Sequence, residues 1–322
     1  VLADALFGQR HCEQVRLLSE CGLAVEASGV RSALVLDIGA SSSYAVAVYQ
    51  GSAMHDSLRA TAVGGEHVTE LLCALLESQP AAEQSTFTAQ LPRRRVQIAR
   101  QLKEDYSFVA TEFDESAAVY GREALEHARQ LLSHSNPTAT HINYAVSRCS
   151  EIRCGEEFAL PDGSAVSVAL DCERFYCTEV LFCPTALESC QHSKGLVRTV
   201  LEAVSAVNES VRAEVCSTVL ITGRSALLPG MAVRLERDLK GPFRRLGIPS
   251  CRYVIAEEAD WPPSAAWNGV SKVLQSLSSG TRGGSAGGTA RSNGSFYGSR
   301  LTVSREEYLS IGPRILNQSR KA

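Results

Sequence analysis

Apolar positions along the chain fall into runs with two periods. Over residues 12 to 27, Val15, Leu17, Leu18, Cys21 and Leu23-Ala-Val25 recur close to helical spacing until Gly29 stops the run, which predicts a helix. Ala33-Leu-Val-Leu-Asp-Ile38 is a short apolar strand ending in an acid and a glycine. Ala45-Val-Ala-Val-Tyr49 is a second strand, broken by Gln50-Gly51, and the Gly/Ser turn between the two predicts a hairpin. After Gly64-Gly65, His67 to Leu76 reads as an amphipathic helix. A further helix is predicted from Arg93 to about Tyr106, and Ser107-Phe-Val-Ala110 as a strand.

Farther on, Glu123 to Leu132 is helical in pattern and Ser133 to Thr140 is a polar loop. Leu160-Pro-Asp-Gly163 marks a tight turn between short strands, because Pro presets φ and Gly accepts the left-handed position. Helices are predicted at 173–182 and 194–209, and a buried strand from Val215 to Gly223. Pro229 opens a helix to about Lys240; a strand near Arg252 to Ala256 and a helix from Ala266 to Leu277 follow. Ser278 to Gly298 is Gly, Ser, Thr, Arg and Asn, a composition that buries too little surface to offset its ordering entropy, so it reads as a flexible insert. Order returns at Leu301 to Leu316. Strands alternating with helices give an α/β architecture.

Composition narrows the function classes. At 322 residues the chain can bury a large core or form two domains sharing a cleft. A formal net charge of -3 leaves no overall basic field of the kind nucleic-acid binding needs, and Arg93-Arg-Arg95 reads as a solvated helix face. No apolar run is long enough to cross a bilayer, and Val1 to Phe7 lacks a signal-peptide pattern. A start on Val rather than Met is read as a chain that begins inside a longer product. The 11 cysteines are odd in number and scattered, which argues against a disulfide framework and for a reducing compartment. Cys149, Cys154, Cys172 and Cys177 could offer zinc four thiolates, but the gaps are wider than a zinc knuckle's and Cys172 to Cys177 reads as helix. Packed thiols, and no metal site, are the expectation.

The chemistry concentrates in Asp37-Ile-Gly-Ala-Ser-Ser-Ser-Tyr-Ala-Val-Ala-Val-Tyr-Gln-Gly51. Backbone N–H groups in a tight glycine turn form a concave nest for phosphate oxygens, and an acid at the strand end can orient a metal-held water. Taken alone, the pattern is more often only a hairpin. It resembles the second phosphate loop of the actin and sugar-kinase superfamily, and its neighbours arrive in the order of the actin family. Leu17 to Gly29, ending Ala-Ser-Gly, resembles the interdomain helix. Gly64-Gly65 before Val68-Thr-Glu-Leu71 is similar to the glycine-led helix beside the loop. Arg100 to Ala110 resembles the segment whose Lys and Glu contact adenosine, here Lys103 and Glu104. Leu160-Pro-Asp-Gly163 and Glu173-Arg-Phe175 match the family's turn and following helix. Val219 to Gly230 resembles the adenosine motif, Trp267-Asn-Gly269 the Trp-Ile-Gly pattern, and Ser304 to Pro313 the C-terminal helix.

The resemblance implies an actin-like (ribonuclease-H-like) two-lobed ATPase fold, N-terminally incomplete because the first phosphate loop and the small outer subdomain after it are missing. Residues 1–63 would be the remainder of the first lobe, 64–257 the second lobe with an insert at about 114–157, and 258–322 the return to the first, with an insert at 278–300. Nucleotide contacts would fall on Asp37, Gly39, Ala40, Ser41, Gly65, Lys103, Glu104, Gly223 and Arg224, with Asp37 and Glu20 as remnants of catalytic positions.

Departures from the family are concentrated at that site. Ala40 stands for an Asp, Ser41 for a Gly, Glu20 for the Gln that positions the attacking water, and Tyr44 for a His. Arg224 replaces a glycine, Leu228 an aromatic and Pro263 a lysine. Losing a carboxylate beside Mg²⁺ removes a charge and a water-orienting acceptor, and an Arg at a close-approach glycine obstructs the pocket or contacts a phosphate. The implied cofactor is ATP or ADP with Mg²⁺, weakly held. The implied role is a non-catalytic structural subunit of a cytoskeletal or chromatin-associated complex. Its partners would be actin-family or other complex subunits rather than nucleic acid or membrane, in the cytoplasm or alternatively the nucleus. The competing reading is an ATP-dependent sugar kinase or chaperone of the wider superfamily, for which no general base stands out.

Overall fold

In the computed structural model the described residues are 14–77, 87–111, 154–159, 165–170, 173–256, 268–273, 301–304 and 310. The expectations for Glu123 to Thr140, the turn at 160–163, Pro263, Trp267, the insert at 278–298 and the C-terminal helix lie outside them, as does most of the insert at 114–157.

The apolar run at 33–38 has no polar alternation because strand β2 (Ala33–Ile38) lies at the centre of a sheet with side chains buried on both faces. β3 (Ser43–Tyr49) pairs antiparallel to it, Ala33 opposite Val48 and Ile38 opposite Ser43, as the hairpin pattern predicts. Gln50 (φ 49°) and Gly51 (φ 78°) then turn the chain into β4 (Ser52–Thr61). Two consecutive positive φ values are the geometry that matches strand twist in a two-residue hairpin. On the other side of β2 run β7 (Thr218–Thr222) and β8 (Arg252–Ile255), both parallel, giving the order β4-β3-β2-β7-β8. Two smaller pairs stand apart: β1 (Gln14–Leu17) with β9 (Leu301–Ser304), and β5 (Cys154–Ala159) with β6 (Ala165–Leu170).

Each face of the sheet has its own core. Ala33, Val35, Val46, Val48 and Leu220 pack with Cys21, Ala24 and Val25 of α1 (Glu20–Ser28). Leu34, Leu36, Ile38, Ala45, Val219 and Ile221 join the larger core. That core is built with α2 (Gly65–Glu77), α3 (Pro92–Tyr106), α4 (Glu173–Tyr176), α5 (Leu196–Ser205), α6 (Glu209–Val215) and α7 (Met231–Arg245). A division at 63/64 would cut through this arrangement, because β2 to β4 share one sheet with β7 and β8 from beyond it.

Several local expectations are corrected. Residues 14–17 are a strand rather than the start of a helix; α1 begins only at Glu20, after Ser19. Residues 107–110 are extended but unpaired as a strand: Phe108 N donates to Arg174 O at 3.1 Å and Val109 N to Pro229 O at 2.7 Å. The helix predicted at 173–182 is α4 tightened into a 3₁₀ turn at Cys177–Leu181. The one predicted at 194–209 is α5, which ends earlier, at Ser205; α6 follows separately, capped by Asn208, whose side chain accepts from Ser210 N at 3.0 Å.

One buried ion pair ties the larger core together. Arg234 of α7 donates to both oxygens of Glu179 at 2.8 and 3.1 Å, to Asp238 at 2.8 Å and to the Ala110 carbonyl at 2.8 Å. Its guanidinium also lies 4.4 Å from the Phe182 ring centroid. Burial alone would lower its pKa, but the bonds to Glu179 and Asp238 outweigh burial and raise it.

Candidate nucleotide-site remnant

The turn between β2 and β3 is closed by Gly39 N donating to Ser42 O at 3.1 Å, and Ser43 Oγ anchors it by donating to Val63 O at 2.6 Å. Its carbonyls reach the start of α2: Gly65 N donates to Gly39 O at 2.9 Å and Glu66 N to Ala40 O at 2.7 Å. Two orphan donors of the helix N-terminus are satisfied by the loop. This leaves Ala40, Ser41 and Ser42 exposed, the stretch open to an anion. The approach demands glycine. A Cβ on Gly64 would sit 2.5 Å from Ala40 O and 2.6 Å from Gly39 O, and one on Gly65 would sit 2.5 Å from Ser225 Oγ.

Gly65 is the meeting point of four separate segments. Besides the loop and Ser225, its carbonyl accepts from Lys103 Nζ at 3.3 Å. Burial pushes the Lys103 pKa down, against the pull of neighbouring Glu104, which is itself exposed. Gly223 (φ 87°) ends β7 pressed against the Ile38 backbone, where a Cβ would lie 2.4 Å from the carbonyl oxygen. The next residue, Arg224, is exposed. Lys103, Glu104, Arg224, Ser225, Leu227, Leu228 and Pro229 line a cavity of about 110 Å³. Ligand pockets generally hold ~300–1,000 Å³.

Asp37 and Glu20 both act on Tyr44. Asp37 is in register with Tyr44 on one side and Thr222 on the other, and Thr222 Oγ1 donates to Asp37 Oδ2 at 2.6 Å. Burial, and then the charges of Asp37 and Glu20, raise the Tyr44 pKa, so the phenol stays neutral between two acids. Glu20 is exposed in the first turn of α1.

All nine nucleotide-contact positions read from the sequence are therefore described. Asp37, Gly39, Ala40, Ser41, Gly65 and Gly223 lie around one turn, with Lys103, Glu104 and Arg224 at the adjoining cavity. The fold implies ATP or ADP with Mg²⁺. The exposed turn at 40–42 can meet a phosphate group, but Asp37 is the turn's one carboxylate, with one oxygen held by Thr222.

Sequence reading missed Thr222 and Ser225. Thr222 shares the alternation of Leu220 on β7, but only the parallel register sets it beside Asp37. The position of Ser225 depends on how Gly223 docks. Cys177, one of the four thiols weighed for zinc, is buried beside Ser107 Oγ at 3.4 Å, and burial pushes it up to about 12. Cys149 and Cys172 lie outside the described residues.

A family model described as Actin matches residues 2–281. The chain is 27% identical to Actin-like protein 9 of Rattus norvegicus, over 86% of this chain and 56% of that protein. It is 26% identical to Actin-like protein ARP6 of Yarrowia lipolytica, over 74% of this chain and 56% of the relative. It is also 26% identical to Actin-related protein 2 of Acanthamoeba castellanii, over 68% and 46%. The chain thus spans about half the length of the curated relatives it matches. With the family match covering most of its length and the mixed five-stranded sheet in place, the chain belongs to the actin family.

Proposed function

We propose that this actin-family chain is a non-catalytic structural subunit of a cytoskeletal or chromatin-associated complex, with weak or no ATP binding. The observation that carries the reading is the state of the site: its scaffold is kept while its reactive groups are changed. Gly39, Gly64 and Gly223 are all pressed against backbone atoms that leave no room for a side chain. Ala40, Ser41 and Arg224 occupy positions where the family resemblance calls for an Asp and two glycines. A frame preserved for backbone packing, with the charge of one metal-orienting carboxylate removed, supports a fold used as an interaction platform. Its partners would be actin-family or other complex subunits, in the cytoplasm or the nucleus. No helix among the described residues is long and apolar enough to cross a membrane.

The test is Mg²⁺-dependent ATP hydrolysis by the purified full chain, beside Ala40→Asp. The reading expects no turnover above a protein-free control in either, since one carboxylate does not rebuild the pocket at Arg224. Robust Mg²⁺-dependent turnover by the unmodified chain would return it to the ATP-dependent enzymes of the superfamily.

A further inference from the structure

The face of the sheet that α1 covers is covered unevenly. α1 is only nine residues long, and Cys21, Ala24 and Val25 pack with β2 and β3. β8 lies at the sheet edge, where Val254 and Ala256 are only partly buried against this smaller core and Ile255 is 39% exposed. The helical residues 268–273 are clamped onto α1 beside them. A Cβ on Gly269 would lie 2.1 Å from Leu23 O, and Lys272 Nζ donates to Ala27 O. Between this clamp and the sheet lies a recess of about 580 Å³. Leu220 and Val254, neighbours in the parallel register, floor it together with Ala256, and Ala27 and Val30 form the wall on the α1 side.

The lining holds two exposed cations, Arg252 and Lys272, and no acid. Among the described residues neither cation has a carboxylate within 4 Å. Lys272 uses one of its three N–H donors on Ala27 O, at the C-terminal end of α1 where a cation is favoured. The acids of the elements packed around the recess lie elsewhere. Glu20 and Glu26 of α1 do not line it, and Glu214 of α6 accepts from Ser32 Oγ and Gln50 Nε2, each at 2.8 Å. An apolar floor flanked by two cations without acid partners is complementary to an apolar side chain beside a carboxylate. The volume lies within the ~300–1,000 Å³ range of ligand pockets.

We propose that the recess between α1, residues 268–273 and the β7–β8 edge docks a partner protein segment presenting a Leu, Ile, Met or Phe side chain within a few residues of an Asp or Glu. The apolar side chain lies over Leu220, Val254 and Ala256, and the carboxylate pairs with Arg252 and Lys272. This docking deepens the reading of the chain as an assembly subunit and rests on it.

The test is selection of random displayed peptides on the full chain, followed by binding measurements on variants. Enriched peptides are expected to combine an apolar anchor with a nearby Asp or Glu. Arg252→Glu, and Ala256→Trp, which fills the recess at constant charge, should each weaken binding at least tenfold, and Lys272→Gln at least threefold. Lys240→Gln, on α7 across the sheet, removes the same charge and should leave binding unchanged. If circular dichroism shows Ala256→Trp to be unfolded, Arg252→Gln carries the test beside Lys240→Gln, with a loss of at least threefold expected. No enrichment, peptides indifferent to Arg252→Glu, or an equal loss in Lys240→Gln would each overturn the proposal. So would binding gained only with Glu257→Gln and Glu258→Gln, which would make the chain's own acids the partners of these cations, or self-association that Ala256→Trp abolishes, which would make a second copy the occupant. Tight Mg²⁺-ATP binding with turnover would instead overturn the assembly reading, whatever the peptides do.

Discussion

Gly223→Ala should be among the most damaging single substitutions in the chain, and its cost can be worked from two terms. The residue sits at φ 87°, ψ 150°, a conformation essentially confined to glycine, which costs other residues about 1–3 kcal/mol. The added Cβ would also lie 2.4, 2.7 and 2.9 Å from the carbonyl oxygen, carbonyl carbon and nitrogen of Ile38. These are backbone atoms of the central strand and cannot rotate away, so relief means parting the ends of β2 and β7. That movement breaks the 2.6 Å bond from Thr222 to Asp37, and a hydrogen bond to a charged group is worth about 1.5–3 kcal/mol. Together the loss is about 2.5–6 kcal/mol, much of the ~5–15 kcal/mol that holds a domain folded. Gly29→Ala is the matched control. Its φ is 72°, at the C-terminus of α1, but nothing lies within 4 Å of the added Cβ, so only the left-handed penalty of about 1–2 kcal/mol applies. Urea denaturation of both variants, followed by far-UV circular dichroism, reads the difference. Equal losses would refute the argument that Gly223 is fixed by its approach to Ile38.

Other consequences follow from the buried charges and thiols. Arg234→Met should cost about 3–5 kcal/mol, because it strands Glu179 in the core, whereas adding Glu179→Leu should restore more than half of that; Arg237, 3.2 Å from Asp238, still pairs the remaining acid. Additive losses in the double variant, measured by urea denaturation, would contradict this. Burial pushes Cys73 up to about 11, and Cys177 and Cys216 up to about 12, above the value of 9.0 for a free thiol. The unfolded chain therefore loses these protons first, and the stabilisation present below pH 9 is lost as pH rises toward 12. The urea midpoint should fall between about pH 9 and 11, less steeply in Cys177→Val; a flat profile would count against it. At neutral pH a thiol reagent should modify exposed Cys183 well before these three, as peptide mapping would show.

What could be read from the sequence was what the backbone dictates locally. β2 announced itself because burial on both faces removes polar positions, and the hairpin followed from the Gly/Ser turn and Gln50-Gly51. β4 was missed for the opposite reason. It is an edge strand with His55, Asp56 and Leu58 exposed, and Arg59 donates to the carbonyls of Asp56 and Leu58, so its stability comes from β3 and not from its own apolar content. Residues 14–17 looked helical because Val15 and Leu17 fit either period over so short a run; their partner strand lies nearly 300 residues away at 301–304. The order of motifs picked out Lys103, Glu104, Gly65 and Gly223, and the structure sets Lys103 on the Gly65 carbonyl and Glu104 at the cavity with Arg224. The places of Thr222 and Ser225 depend instead on parallel register and on the docking of Gly223. The small size of the cavity was likewise invisible, being set by how Arg224 to Pro229 fold back toward Lys103.

Whether the proposed loss of nucleotide binding is right is read most directly by an equilibrium titration of Mg²⁺-ATP into the purified full chain by calorimetry. A carboxylate missing at Ala40 and an Arg at position 224 predict binding weaker than ~100 µM, less than about 5.5 kcal/mol of free energy. Saturable one-to-one binding at ~1 µM or tighter, dependent on Mg²⁺, would contradict the account.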